Sequence, residues 1–212
     1  MILYVYVEEP SAEAALRSIM PRLLPEGWES VYAVFQGKDD LLDKLPSRLK
    51  VYKHWPPEQW RILVLVDRDD DECGSLKERL EQMAVGEGLC TKTSAQGQAF
   101  QVLNRIAVDE LEAWFLGDVE ALRAAYPRVP ATLRERAAFR TPDSIRGGTW
   151  EALARELQKA GYYANPGARK PGMPKIEVAR KVSRYMDPER NTSHSFQVFV
   201  RGVQALVASV SD

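Results

Sequence analysis

Apolar residues run unbroken from position 62 to 66, Ile-Leu-Val-Leu-Val, and four carboxylates follow at Asp67, Asp69, Asp70 and Asp71. Such a run is too apolar for a strand with one wet face, so it predicts a strand inside a parallel sheet covered on both sides. Runs at 2–7 and 30–35 predict two further strands, and 89–93 and 101–108 another pair around a polar loop at 94–98. Between them the apolar spacing turns helical. Ser11 is placed to cap a helix with the stripe Leu16, Ile19, Met20 and Leu23, which Pro25-Glu26-Gly27 stops. Leu41, Leu42, Leu45 and Leu49 mark a helix over 38–52 that Pro46 must bend or split, and Pro56-Pro57 ends it. Helices over 76–83 and 109–116 follow, the second with Leu111, Trp114 and Phe115 facing inward and Asp109 as its cap. The order β-α-β-α-β-α-β-β-α predicts an α/β fold, a Rossmann-like, mostly parallel sheet with helices on both faces.

After residue 118 the pattern changes to helices with few strands, over 119–126, 149–160, 174–186 and 193–209. Ile176, Ala179, Val182 and Met186 form the expected buried stripe of the third. Phe196, Phe199, Val203, Leu206 and Val210 form that of the last. Pro/Gly-rich connections occupy 140–148 and 165–174. The division expected is an α/β domain over 1–118 and a helical, basic C-terminal subdomain over 119–212.

Composition narrows the class without choosing a function. The 212 residues are 45% hydrophobic and 28% charged, ordinary for a soluble protein. No stretch approaches the ~20 apolar residues of a membrane span. The start lacks the basic region of a signal peptide and turns acidic at Glu8. Cys73 and Cys90 lack metal-type spacing and are expected as free thiols, which together points to the cytoplasm. Two isolated histidines, His54 and His194, exclude a zinc cluster. Net charge is −1, but residues 1–118 carry 13 Lys+Arg against 21 Asp+Glu, and residues 119–212 carry 16 against 9. That asymmetry fits a metal centre in one half and a polyanion-binding face in the other, and fits equally two halves that attract each other.

Ligands of open α/β sheets bind beyond the carboxyl ends of the strands. Four carboxylates there repel each other unless a cation neutralises them, and hard oxygen donors suit Mg²⁺ or Mn²⁺. Three acidic groups are expected to converge: Glu8 beside Glu9 after the first strand, Asp67 and Asp69 with Asp71 after the third, and Glu110 with Glu112 after the last. One carboxylate then serves as general acid or base while others hold metal. Simpler readings stand beside this: an acidic turn in which Asp71 or Gly74 starts the next helix, Glu8 as a solvated strand end, Glu110 complementing a helix dipole, and Glu112 as a rim residue. Lys38, after Gly37, is placed to meet a phosphate or to lie on the surface. Residues 165–190 hold Arg169, Lys170, Lys175, Arg180, Lys181, Arg184 and Arg190. Of these Lys175, Arg180, Lys181 and Arg184 could contact DNA or RNA phosphates, with Trp150, Tyr162, Tyr163 and Tyr185 for stacking. The alternative is a solvated helix face over core aromatics.

Val7-Glu8-Glu9-Pro10 and Val66-Asp67-Arg68-Asp69 resemble the two motifs of the Toprim family, the topoisomerase-primase domains and related nucleases. The resemblance implies a Toprim-like fold, Glu8 as acid/base, and Asp67 and Asp69 as Mg²⁺ ligands. Glu9 stands where that family usually has Gly, so local backbone freedom is lost. A closer resemblance, over most of the chain, is to the Toprim-like domain of unknown function 4276. It rests on Gly37-Lys38, the Asp run, Glu110–Asp118 with Glu112, Trp114 and Asp118 matching, and Ser195-Phe196-Gln197-Val198-Phe199. It implies a nuclease-like subunit of a phage-defence or mobile-element system with an AAA/ABC-type ATPase partner; self-association is left open. No tyrosine is placed for a covalent topoisomerase step, so metal-dependent phosphodiester hydrolysis is expected. The rivals are a haloacid-dehalogenase-like phosphotransferase, in which Asp-x-Asp follows the first strand, and a non-catalytic, metal-binding regulatory subunit.

Overall fold

A computed structural model describes residues 1–163 and 172–210. Four strands, β1 (Ile2–Val7), β2 (Glu29–Val34), β3 (Trp60–Asp67) and β4 (Val102–Ala107), form one parallel sheet in the order β2-β1-β3-β4. Every residue of β3 is buried. Leu63 and Leu65 join Leu3, Val5 and Leu103 on one face, while Ile62, Val64 and Val66 join Tyr6 and Val102 on the other. A strand covered on both faces shows nothing polar, which is why its sequence does not alternate.

Helix α1 (Pro10–Ile19) covers the first face. Helices α2 (Lys38–Lys50) and α3 (Cys73–Gly86) cover the second. The later helices, α4 (Glu112–Leu116), α5 (Val119–Ala125), α6 (Thr149–Lys159), α7 (Lys175–Ser183) and α8 (His194–Ala208), return to the first face. There α7 packs on α1, and α8 packs beside β4. That core is continuous across position 118, joining Leu3 and Leu63 to Val178 and Phe199.

Chain direction decides where a site can form. From β1 the chain leaves to the first face, and from the neighbouring β3 it leaves to the second. Loops that part in this way open a crevice at the carboxyl ends of the two strands. Glu8 and Asp67 stand at those ends.

Several expectations are corrected. Residues 89–93 form no strand; only Thr91 bridges Val102, so the sheet has four strands rather than five. Ser11 does not cap α1. The helix starts at Pro10 with Glu9 as N-cap, and the Ser11 hydroxyl donates to the Glu9 carboxylate instead. Pro46 lies inside α2 without splitting it, and residues 51–54 continue as a 3₁₀ turn. Asp109 and Glu110 precede α4 rather than opening it: Asp109 has φ +63° and pairs with Arg68. Ile176 is 42% exposed, so the buried stripe of α7 runs instead through Val178, Ala179 and Val182. Arg169, Lys170 and most of the 165–174 connection lie outside the described residues.

Candidate functional site

Three carboxylates are buried around the crevice: Glu8 at 8% exposure, Asp67 at 6% and Glu112 at 1%. Glu8 follows the last residue of β1, whose register neighbour on β3 is Leu65, two residues before Asp67. Its carbonyl accepts from Gly37 N at 2.9 Å, which ties it to the start of α2. Glu112 is the first residue of α4. Glu8 Oε2 and Glu112 Oε2 have no hydrogen-bond partner. Burying carboxylates disfavours their charged form. Burial pushes Glu8 up to about 7, with Asp69 and Glu9 adding to it and Lys38 opposing. Burial likewise raises Glu112 to about 7 against the pull of Lys175. Asp67 is held well above the usual carboxylate range by burial and then by the charges of Glu8 and Glu112. Asp67 thus senses the charges of both Glu8 and Glu112.

Two lysines face these acids. Lys38, the first residue of α2, bonds Asp69 at 2.8 Å and Asp71 at 2.6 Å, and also donates to the Arg68 carbonyl at 2.9 Å. Asp69 adopts φ +49°, so its short side chain turns back toward Lys38. Burial lowers Lys38, but the two aspartates outweigh it and hold the ammonium above its ordinary range. Lys175, the first residue of α7, lies 3.6 Å from Glu9 and 5.1 Å from the centre of the Trp150 ring. Burial lowers it too, and Glu112, Glu9, Glu110 and Asp67 together raise it further.

The remaining expected residues divide. Glu110 accepts from Thr149 Oγ1 at 2.9 Å and Trp150 N at 2.7 Å, so one of its oxygens serves the start of α6. Glu72 caps α3 through Gly74 N and Ser75 N, which leaves Asp71 to Lys38. Lys181 is taken up by Glu177 at 2.6 Å. Arg180 and Arg184 are exposed beside Glu13 and Arg17 on an open depression away from the crevice. Tyr162 meets Tyr126 edge to face beneath Arg128, while Tyr185 is exposed. Lys38 and Lys175, expected either against a ligand's phosphates or on a solvated surface, are paired with acids in this structure. Trp150, expected as a stacking surface or core aromatic, lies beneath Lys175, with Glu9 beside it.

A second network fixes Glu112. Trp114, two residues on, is fully buried, donates to Ser195 Oγ at 2.9 Å and lies 4.8 Å from Phe199, ring centre to ring centre. Its carbonyl accepts from Asn191 Nδ2 at 2.8 Å. Gly117 lets this approach happen: a Cβ there would meet Asn191 Oδ1 at 2.3 Å. Asp118 receives Arg190 Nε at 2.8 Å and Asp187 N at 2.8 Å, and caps α5 through Ala121 N. The segments 110–118 and 195–199 are thus one packing unit.

The donor chemistry of the crevice, all carboxylate with two buried unpartnered oxygens, suits a hard divalent cation. Its geometry is not closed: among the described residues no three His, Cys, Asp or Glu side chains stand together as a metal-binding group. Among them, too, no helix is long and apolar enough to cross a membrane. A family model described as a domain of unknown function, DUF4276, matches residues 7–204. No curated protein and no solved structure matches the chain.

Proposed function

We propose, for a chain that belongs to the DUF4276 family, a Toprim-like, metal-dependent nuclease that hydrolyses phosphodiester bonds of DNA or RNA. The observation that carries the reading is the three buried carboxylates around the switch point, two with an unpartnered oxygen and the third, Asp67, under the charge of both others. Carboxylates are left in that state only where a cation or a proton is to be handled. Asp67 and Glu112 would hold Mg²⁺ or Mn²⁺, with Asp69 and Asp71 joining as Lys38 releases them. When bound, the ion supplies positive charge at the reacting phosphoryl group.

The chain's own residues do the rest. Glu8, raised to about 7, exchanges a proton near neutral pH and serves as acid/base. Lys38 and Lys175 stand on opposite sides of the acids, each as the first residue of a helix. There they can receive the phosphodiester anion as the ion takes over their carboxylates. An ATPase partner and a defence role extend this reading.

The test is cleavage of plasmid and single-stranded DNA and of RNA with added Mg²⁺ or Mn²⁺, comparing wild type with Asp67→Asn and Glu8→Gln. Ion-dependent cleavage lost in both variants is the expected result. Ion binding with no cleavage of any substrate overturns it. That outcome would favour a second reading, a regulatory subunit. The observation behind that reading is the pairing of Lys38 with both Asp69 and Asp71, which ties the two carboxylates without any ion.

A further inference from the structure

Strand β4 is an edge strand, and at its centre the chain buries an arginine. Arg105 is 8% exposed; its Nε has no hydrogen-bond partner, and among the described residues no carboxylate pairs with it. Its Nη1 donates to the Asn104 carbonyl at 2.8 Å, and Lys77 Nζ of α3 donates to the same oxygen at 3.0 Å. Two cations thus meet on one acceptor. Lys92, beside the Thr91 bridge, and Arg201 of α8 add two more. Burial lowers Lys92, and the charges of Arg105 and Arg201 lower it further. Arg105 lies directly on α8, where a Cβ at Gly202 would come within 2.4 Å of its Nε. The one carboxylate in the group, Glu81, holds Lys77 and accepts from Asn104 Nδ2 at 3.1 Å, both through Oε1; its Oε2 is unpartnered, and its charge favours the Arg105 cation.

Charges on an edge strand discourage pairing with another sheet, but exposed ones suffice for that. Four cations against the single carboxylate of Glu81 leave an excess of positive charge at a partly buried place, which a counter-ion offsets. An oxyanion supplies it through charge-assisted hydrogen bonds. We propose that Lys77, Lys92, Arg105 and Arg201 form a phosphate-binding site, and that its ligand is the backbone of a nucleic acid. The four residues come from a helix, a loop, a strand and a second helix, across both sides of the β4 edge, and Arg201 is exposed. Four cations gathered from four elements exceed what one phosphate neutralises and suit a polyanion that offers several. The site uses none of the crevice carboxylates and stands whether or not they hydrolyse anything.

The experiment is fluorescence anisotropy of labelled single- and double-stranded oligonucleotides with the full chain across a salt series. Wild type is compared with a Lys92→Gln/Arg201→Gln variant, altered outside the core. Expected is binding that the double variant weakens about tenfold or more, with a log–log salt slope reduced by about 1.4–1.8. Calorimetry with inorganic phosphate separates the sources. Tight phosphate binding, lost in Arg105→Gln, with no oligonucleotide binding would keep the oxyanion site and overturn its assignment to nucleic acid. Equal affinity and slope in wild type and the double variant, or binding of neither probe, overturns the site itself.

Discussion

Glu112 and Glu8 tie stability to pH because burial holds both near 7, well above the ordinary value of 4.5. Between those values the native chain keeps protons that the unfolded chain has lost. Their contribution is therefore complete below about 4.5 and is lost as pH rises through 7. A tenfold change in a protonation equilibrium is worth about 1.4 kcal/mol, and a chain of this size moves about 2–4 °C per kcal/mol. Scanning calorimetry without divalent ions should show Tm falling from about pH 5 to about pH 8, with a shallower fall in Glu112→Gln. A fall of equal steepness in that variant would remove Glu112 from the account. Glu110 behaves differently, because it serves the start of α6. Glu110→Gln should cost about 1 kcal/mol and leave Mn²⁺ affinity unchanged in a titration followed by electron paramagnetic resonance. In the same titration Lys38→Met should tighten Mn²⁺ severalfold, since it removes the cation that Asp69 and Asp71 now share. Weaker binding would assign Lys38 to the ion's side of the site. Glu8 and Asp67 were legible in the sequence because position at a strand end is a local property. The direction of Lys38 and Lys175 was not, because it depends on acids far along the chain. Arg105 did leave a signal, a lone arginine in an otherwise buried strand segment, Val102-Leu103-Asn104-Arg105-Ile106-Ala107.

Among the elements, α4 is too short at five residues to be stable alone, and tertiary contacts hold it. Those contacts come from residues 191–199, through Asn191, Ser195 and Phe199. Asp118 anchors the other end and is fully buried against Arg190. Asp118→Ala should therefore lower stability by about 3 kcal/mol in urea unfolding and disorder Glu112 with it. An effect below about 1 kcal/mol would mean that the network adds little. The sequence showed both segments as distinctive but gave no means of pairing them, since some eighty positions separate Trp114 from Ser195. The missing fifth strand has a similar cause. Residues 89–93 carry a strand-like composition, yet only Thr91 reaches a bridge. Local propensity is a weak guide where the sheet has already reached its edge.

For the whole molecule, the alternation of strands and helices was enough to foresee a parallel sheet covered on both faces. The C-terminal helices were foreseen as helices but not as the lid of that sheet. The first core joins residues on both sides of position 118, and Lys175 bonds Glu9 across the same divide. The opposed charges of the two halves are thus partly spent on each other. A chain cut after Asp118 should lack cooperative thermal unfolding by circular dichroism, because the first face of its sheet would keep α1 but lose α6, α7 and α8. A sharp transition in that fragment would establish an independent domain. The order of synthesis gives this shared core a further meaning. Glu8, Asp67 and Glu112 all emerge from the ribosome well before Ser195 and Phe199, which fix the helix bearing Glu112. A nascent chain interrupted between them carries every acidic residue of the crevice but not the segment that fixes Glu112. The site is therefore withheld until nearly the whole described chain has been translated.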